Sequence, residues 1–105
     1  MLACHYSYAK GAHVTGLGTD NCIHVPIDRH GNMSIDALNA SIEAAVAEGK
    51  VPYFIGATAG TTVMGAFDPI RTLRGIADKY NMWLHVDGAW GGACIASDNQ
   101  KWRMV

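Results

Sequence analysis

The chain has 105 residues, half of them apolar and 16% charged, with a formal net charge of −1. That is material for one small domain with a core, and it excludes a strongly basic nucleic-acid surface or an acidic interaction tail. No apolar run approaches the roughly 20 residues of a membrane span, and the first five residues lack the charged and apolar regions of a secretory signal.

Residues 5–16 read as a short helix, weakened by Gly11. Gly16-Leu17-Gly18-Thr19-Asp20-Asn21 is a loop by composition. Ile23–Ile27 reads as a short strand, with Pro26 marking an edge position or a strand end, and Asp28–Asn32 as a turn. Ser34 is placed to N-cap a helix. Ile35, Leu38, Ile42 and Ala45/Val46 then recur at helical spacing, and Gly49 supplies the stop. Val51–Ala57 is an apolar run that suits a buried strand, and Thr58–Thr62 is a loop of small and hydroxyl residues. Asp68-Pro69 reads as N-cap and first position of a further helix, with Ile70, Leu73, Ile76/Ala77 and Tyr80 as its buried stripe. Trp83–Val86 is the last strand, ending at Asp87. The expected order α-β-α-β-α-β describes an α/β fold of parallel strands with right-handed crossover helices.

Cys4, Cys22 and Cys94 are widely spaced and form no C-x-x-C pair, which reads as reduced thiols of a cytoplasmic protein rather than a disulfide framework. None of the five histidines has zinc-motif spacing to another His or Cys, and no metal is expected. Met33, Met64, Met82 and Met104 make no metal box. Gly16-Leu17-Gly18 does not join a strand to a helix as a dinucleotide fingerprint must.

Asp87 is the leading chemical candidate. An acid just past a parallel strand stands in the crevice where α/β sheets bind ligands. It could ligate a metal, act as acid or base, or pair with a protonated ring nitrogen; a plain loop cap is the structural alternative. Gly88 and Ala89 leave room for a ring. His85 would share a strand face with Asp87 and suits packing better than metal binding. Thr58–Thr62 follows the preceding strand, so both loops should open on the same sheet edge. There, small residues let the backbone approach a ligand and a hydroxyl can donate to it. His5 could stack on an electron-poor ring or donate a proton, against the simpler reading of a surface histidine. Trp83, Trp90 and Trp102 suit a core or an interface.

Five segments in order carry a family resemblance: His5-Tyr6-Ser7, Gly16-Leu17-Gly18-Thr19-Asp20, Ala57-Thr58-Ala59-Gly60-Thr61-Thr62, Gly65-Ala66-Phe67-Asp68-Pro69 and His85-Val86-Asp87-Gly88-Ala89-Trp90-Gly91-Gly92. Over nearly its whole length the chain resembles the group II amino-acid decarboxylases dependent on pyridoxal phosphate (PLP). The middle motifs look most like the branch acting on glutamate, cysteine sulfinate or aspartate, in that order of preference. The resemblance implies part of the large cofactor domain of a fold-type I, aspartate aminotransferase-like enzyme. It implies α-decarboxylation of a small acidic amino acid to the amine and carbon dioxide. It implies that His5 stacks on the PLP ring and assists protonation at the substrate carbon. Asp87 would pair with the pyridine nitrogen, Ala89 pack on the opposite ring face and Thr62 contact the cofactor near its ring. Asp68 would be structural, capping its helix and orienting neighbours. Gly88 departs from the family's commoner alanine, a change expected to be tolerated.

The family's Schiff-base lysine lies in an Asn-Pro-His-Lys segment that these residues do not contain, nor do they include the family's upstream phosphate loops or small C-terminal domain. The expectation is therefore a fragment, from a gene model or a truncation, of an enzyme that works as a homodimer, and inactive alone. Two other readings stay open: another fold-type I PLP enzyme such as an aminotransferase or desulfurase, and a non-catalytic binding protein.

Overall fold

In a computed structural model describing residues 4–104, two strands lie side by side in parallel. They are β1 (Phe54–Thr58) and β2 (Trp83–Asp87), and their register pairs Phe54 with Trp83, Gly56 with His85 and Thr58 with Asp87. Parallel neighbours need a crossover connection. Helices α1 (Ser7–Val14) and α2 (Ile35–Ala47) precede the strands, and α3 (Ile70–Lys79) makes the crossover. Short 3-10 turns occupy Thr19–Asn21, Gly92–Ala96 and Lys101–Met104.

Local chemistry sets the helix ends. The Ser34 hydroxyl accepts the Ala37 N–H at 3.3 Å, capping α2 as its sequence suggests. At the other end Gly49 takes φ +77°, and the N–H groups of Lys50 and Gly49 return to the carbonyls of Ala45 and Val46, both at 2.9 Å. This pair of bonds is a Schellman stop, in which glycine avoids the left-handed penalty. Helix α3 ends the same way with Asn81 at φ 53°, Met82 N–H reaching the Ala77 carbonyl at 2.8 Å. Asparagine is the residue after glycine best suited to that conformation.

The strand period of two divides the sheet into unlike faces. Ile55 and Ala57 point into a core shared with Leu38 and Ile42 of α2 and Leu73 and Ala77 of α3. Leu73 is completely buried. Gly56, His85, Thr58 and Asp87 belong to the other face.

Two expectations need correction, and a third is narrowed. Residues 23–27 form no strand: Ile27 makes a single bridge to Met33, while Ile23 is half exposed and faces an open cleft. Pro26 has no N–H to give a ladder; its carbonyl accepts from Ser34 instead. Asp68 does not cap α3. Pro69 holds the N-cap position without a side-chain bond, because the Asp68 carboxylate is committed to Met33 and Thr58 N–H groups. The tryptophans, expected in a core or an interface, lie outside the core, with Trp83 and Trp90 each 70% exposed and Trp102 61%.

Candidate active site

Two loops leave the carboxyl ends of β1 and β2 and clamp each other. Ala59 N–H donates to the Asp87 carbonyl at 2.8 Å, and Gly91 N–H donates to the Ala59 carbonyl at 2.9 Å. The small residues serve this clamp. A Cβ on Gly60, which already has φ +80°, would lie 2.9 Å from Gly91 Cα, and one on Gly91 would lie 2.5 Å from the Ala59 oxygen. The Thr58–Thr62 loop is expected to let backbone approach a ligand; within it Gly60 makes room for the neighbouring Gly91 backbone. An alanine at Gly88 would bring its Cβ to 3.0 Å from Gly92 Cα, so glycine lets these turns close more tightly.

The two threonines after β1 divide the work. Thr61 is buried, and its hydroxyl accepts the Ala66 N–H at 3.0 Å, closing the loop on itself. Thr62 is exposed and has no side-chain hydrogen bond among the described residues. Its hydroxyl is free for an incoming group.

Asp87 is half buried, and Oδ1 accepts the Ala89 N–H at 3.1 Å. That bond fixes the carboxylate, while Oδ2 has no hydrogen-bond partner among the described residues. Ala89 is exposed beside it in sequence. The Asp87 side chain shares a sheet face with His85, whose ring stacks on Phe54 at 6.1 Å and meets Tyr8 edge-on at 6.3 Å. His85, expected to pack, is exposed on this face, its ring contacts being with Phe54 and Tyr8, and no cluster suited to a metal ion occurs among the described residues.

His5 stands at the entry to α1, exposed, its ring tilted over Tyr6 at 4.2 Å. Its Nδ1 accepts the Ser7 N–H at 3.2 Å. An accepting Nδ1 puts the proton of the neutral ring on Nε2. Sequence reasoning overlooked Tyr8, one turn on. Its hydroxyl donates to the Ala57 carbonyl at 3.4 Å. Burial pushes its pKa up to about 12, helped by the Asp87 charge, so the phenol stays a neutral donor. Cys4, also pushed up by burial, has its Sγ 4.0 Å from His24 Nδ1. All three thiols are free.

The conserved domain of the pyridoxal-dependent decarboxylases matches residues 2–104. The chain belongs to that family. This places it with PLP-dependent decarboxylases rather than with aminotransferases or desulfurases, and with fold-type I architecture. It is 53% identical over 98 residues to the glutamate decarboxylase of Drosophila melanogaster, covering 93% of this chain and 19% of that protein. It is 48% identical over 98 residues to the cysteine sulfinic acid decarboxylase of Rattus norvegicus, covering 93% and 20%. The crystal structure of mouse CSAD superposes with a TM-score of 0.94 at 43% identity, over 97% of this chain and 22% of that one. The chain spans about a fifth of the length of these curated relatives. No helix among the described residues is long and apolar enough to cross a membrane.

Proposed function

We propose that the protein carrying this chain is a PLP-dependent decarboxylase of acidic amino acids, with glutamate as first substrate and cysteine sulfinate or aspartate next. The observation that carries the reading is Asp87: a carboxylate fixed by its own loop, one oxygen unpartnered among the described residues, at the carboxyl end of a parallel strand in a chain of this family. The relatives named for glutamate and cysteine sulfinic acid support the acidic choice.

The donor set suits a flat, electron-poor ring. PLP when bound supplies an electron sink for the pair left at the α-carbon as carbon dioxide departs. Asp87 would hold the proton on the ring nitrogen, the state in which the sink is strongest. His5 would lie on one ring face and Ala89 on the other. With Ser7 N–H on Nδ1, His5 presents its Nε2 proton, which it would deliver to the α-carbon. Thr62 would contact the cofactor with its free hydroxyl. The lysine that anchors the cofactor would come from another part of the protein. The protein would work as a homodimer in the cytoplasm, and residues 1–105 by themselves would be inactive.

The test is carbon dioxide release from glutamate, cysteine sulfinate and aspartate by the intact protein, with and without added PLP. Release that depends on PLP, with an acidic substrate ahead of an aromatic one, is expected. Intact protein that neither binds PLP nor releases carbon dioxide from any of them would sink the reading.

A further inference from the structure

His5 lies two residues before α1, a helix with no fully buried residue. Among the described residues, the hydrogen bonds and ring contacts between α1 and the sheet all come from one side chain, Tyr8. Its ring occupies the space that a side chain on Gly56 would take: a Cβ there would lie 2.6 Å from Tyr8 Cε1 and 2.8 Å from Cζ. The ring also meets Phe54 and His85, each at 6.3 Å. Backbone ties the other end of this lever to His5, whose carbonyl accepts the Tyr8 N–H at 3.4 Å. Gly56 and His85 lie on the same face as Thr58 and Asp87, one side-chain step before the strand ends.

We propose that the Tyr8 ring, seated in the notch left by Gly56, is the positioning element that fixes the start of α1, and with it His5, relative to the sheet face carrying Asp87. Tyr8 touches neither substrate nor cofactor; it acts through the placement of α1. The inference rests on the role given above to His5. It makes Tyr8 and Gly56 a matched pair: large on the helix, absent on the strand.

The experiment uses the intact protein loaded with PLP and reads kcat, KM and the visible circular dichroism of the bound cofactor. Tyr8→Ala leaves the notch empty, and Gly56→Ala drives a methyl into the ring. Each is expected to lower kcat by roughly 10²-fold, the cost of misplacing a catalytic group by about 1 Å. KM should move much less, and the cofactor's dichroism should weaken as its asymmetric neighbour shifts. Tyr8→Phe keeps the ring and should stay within about threefold of the parent, since it gives up only a long hydrogen bond. Tyr8→Leu combined with Gly56→Ala refills the notch and should recover much of the loss, a coupling that a double-mutant cycle reads directly. Single variants with parental kcat and dichroism would overturn the proposal, even if their melting temperatures fell. So would a double variant no better than the worse single one. A parent protein with no cofactor band and no carbon dioxide release would instead bring down the decarboxylase reading itself, and this inference with it.

Discussion

The carboxylate of Asp68 accepts the Thr58 N–H at 2.7 Å, tying the entry of α3 to the last residue of β1. Its second oxygen accepts the Met33 N–H at 2.6 Å. One side chain thereby satisfies two main-chain donors from different segments. Burial raises its pKa, and the two N–H bonds pull the other way. In Asp68→Asn one acceptor becomes an N–H₂ facing an N–H. A loss of about 1–3 kcal/mol is expected, the penalty for a buried donor left unpaired. Urea denaturation of the intact protein measures it; an unchanged midpoint would contradict the role.

Asp87 should matter to chemistry more than to folding. Asp87→Asn keeps an oxygen for the Ala89 N–H but cannot hold a proton on a ring nitrogen. kcat should fall by roughly 10²–10³-fold, as when a preorganised electrostatic partner is removed, with the melting temperature little changed. Stopped-flow and thermal melts on the same sample separate the two effects.

The clamp between the loops can be tested at Gly91. Its φ is −103°, so alanine there is opposed by space alone: the new Cβ would sit 2.5 Å from the Ala59 oxygen and 2.6 Å from Phe67 Cζ. Gly91→Ala should cost about 1–3 kcal/mol as an overpacked site, and should weaken PLP retention by moving both loops. Equilibrium dialysis against the cofactor checks the second part.

Tyr8 gives the molecule an alkaline signature. Its phenol ionises near 10 in an unfolded chain and at about 12 here. The native state therefore keeps the proton longer, and stability falls as pH rises from 10 towards 12. Below pH 10 this group leaves stability flat. Ultraviolet titration should show a late phenolate that Tyr8→Phe removes.

Local signals were readable from the sequence wherever the deciding partner was also local. Ser34 and Gly49 bound α2 through residues within a turn of themselves, and Leu38, Ile42, Leu73 and Ala77 follow helical spacing into the core. Asp68 misleads because Asp-Pro has the look of a helix start, and two distant N–H groups outcompete the cap. The Ile23–Ile27 segment has strand composition, but a strand needs a neighbour as well as a pattern, and one bridge is what it finds. Asp87 was legible through its place after an apolar run. The Tyr8–Gly56 contact was not, since nothing in either residue's surroundings names the other.

The roles proposed for Asp87 and His5 rest on foundations of unequal strength. Asp87 rides on a strand whose pairing and crossover helix enclose Leu73 and Ile55. His5 stands just before a helix with no fully buried residue, whose hydrogen bonds and ring contacts to the sheet, among the described residues, come from the Tyr8 ring alone. Local opening follows buried contacts, so amide hydrogens of α1 should exchange with solvent well before those of β1 and β2. Under the roles proposed above, such openings would release His5 briefly while Asp87 stays in place, giving a planar ligand a lateral door that needs no rearrangement of the sheet.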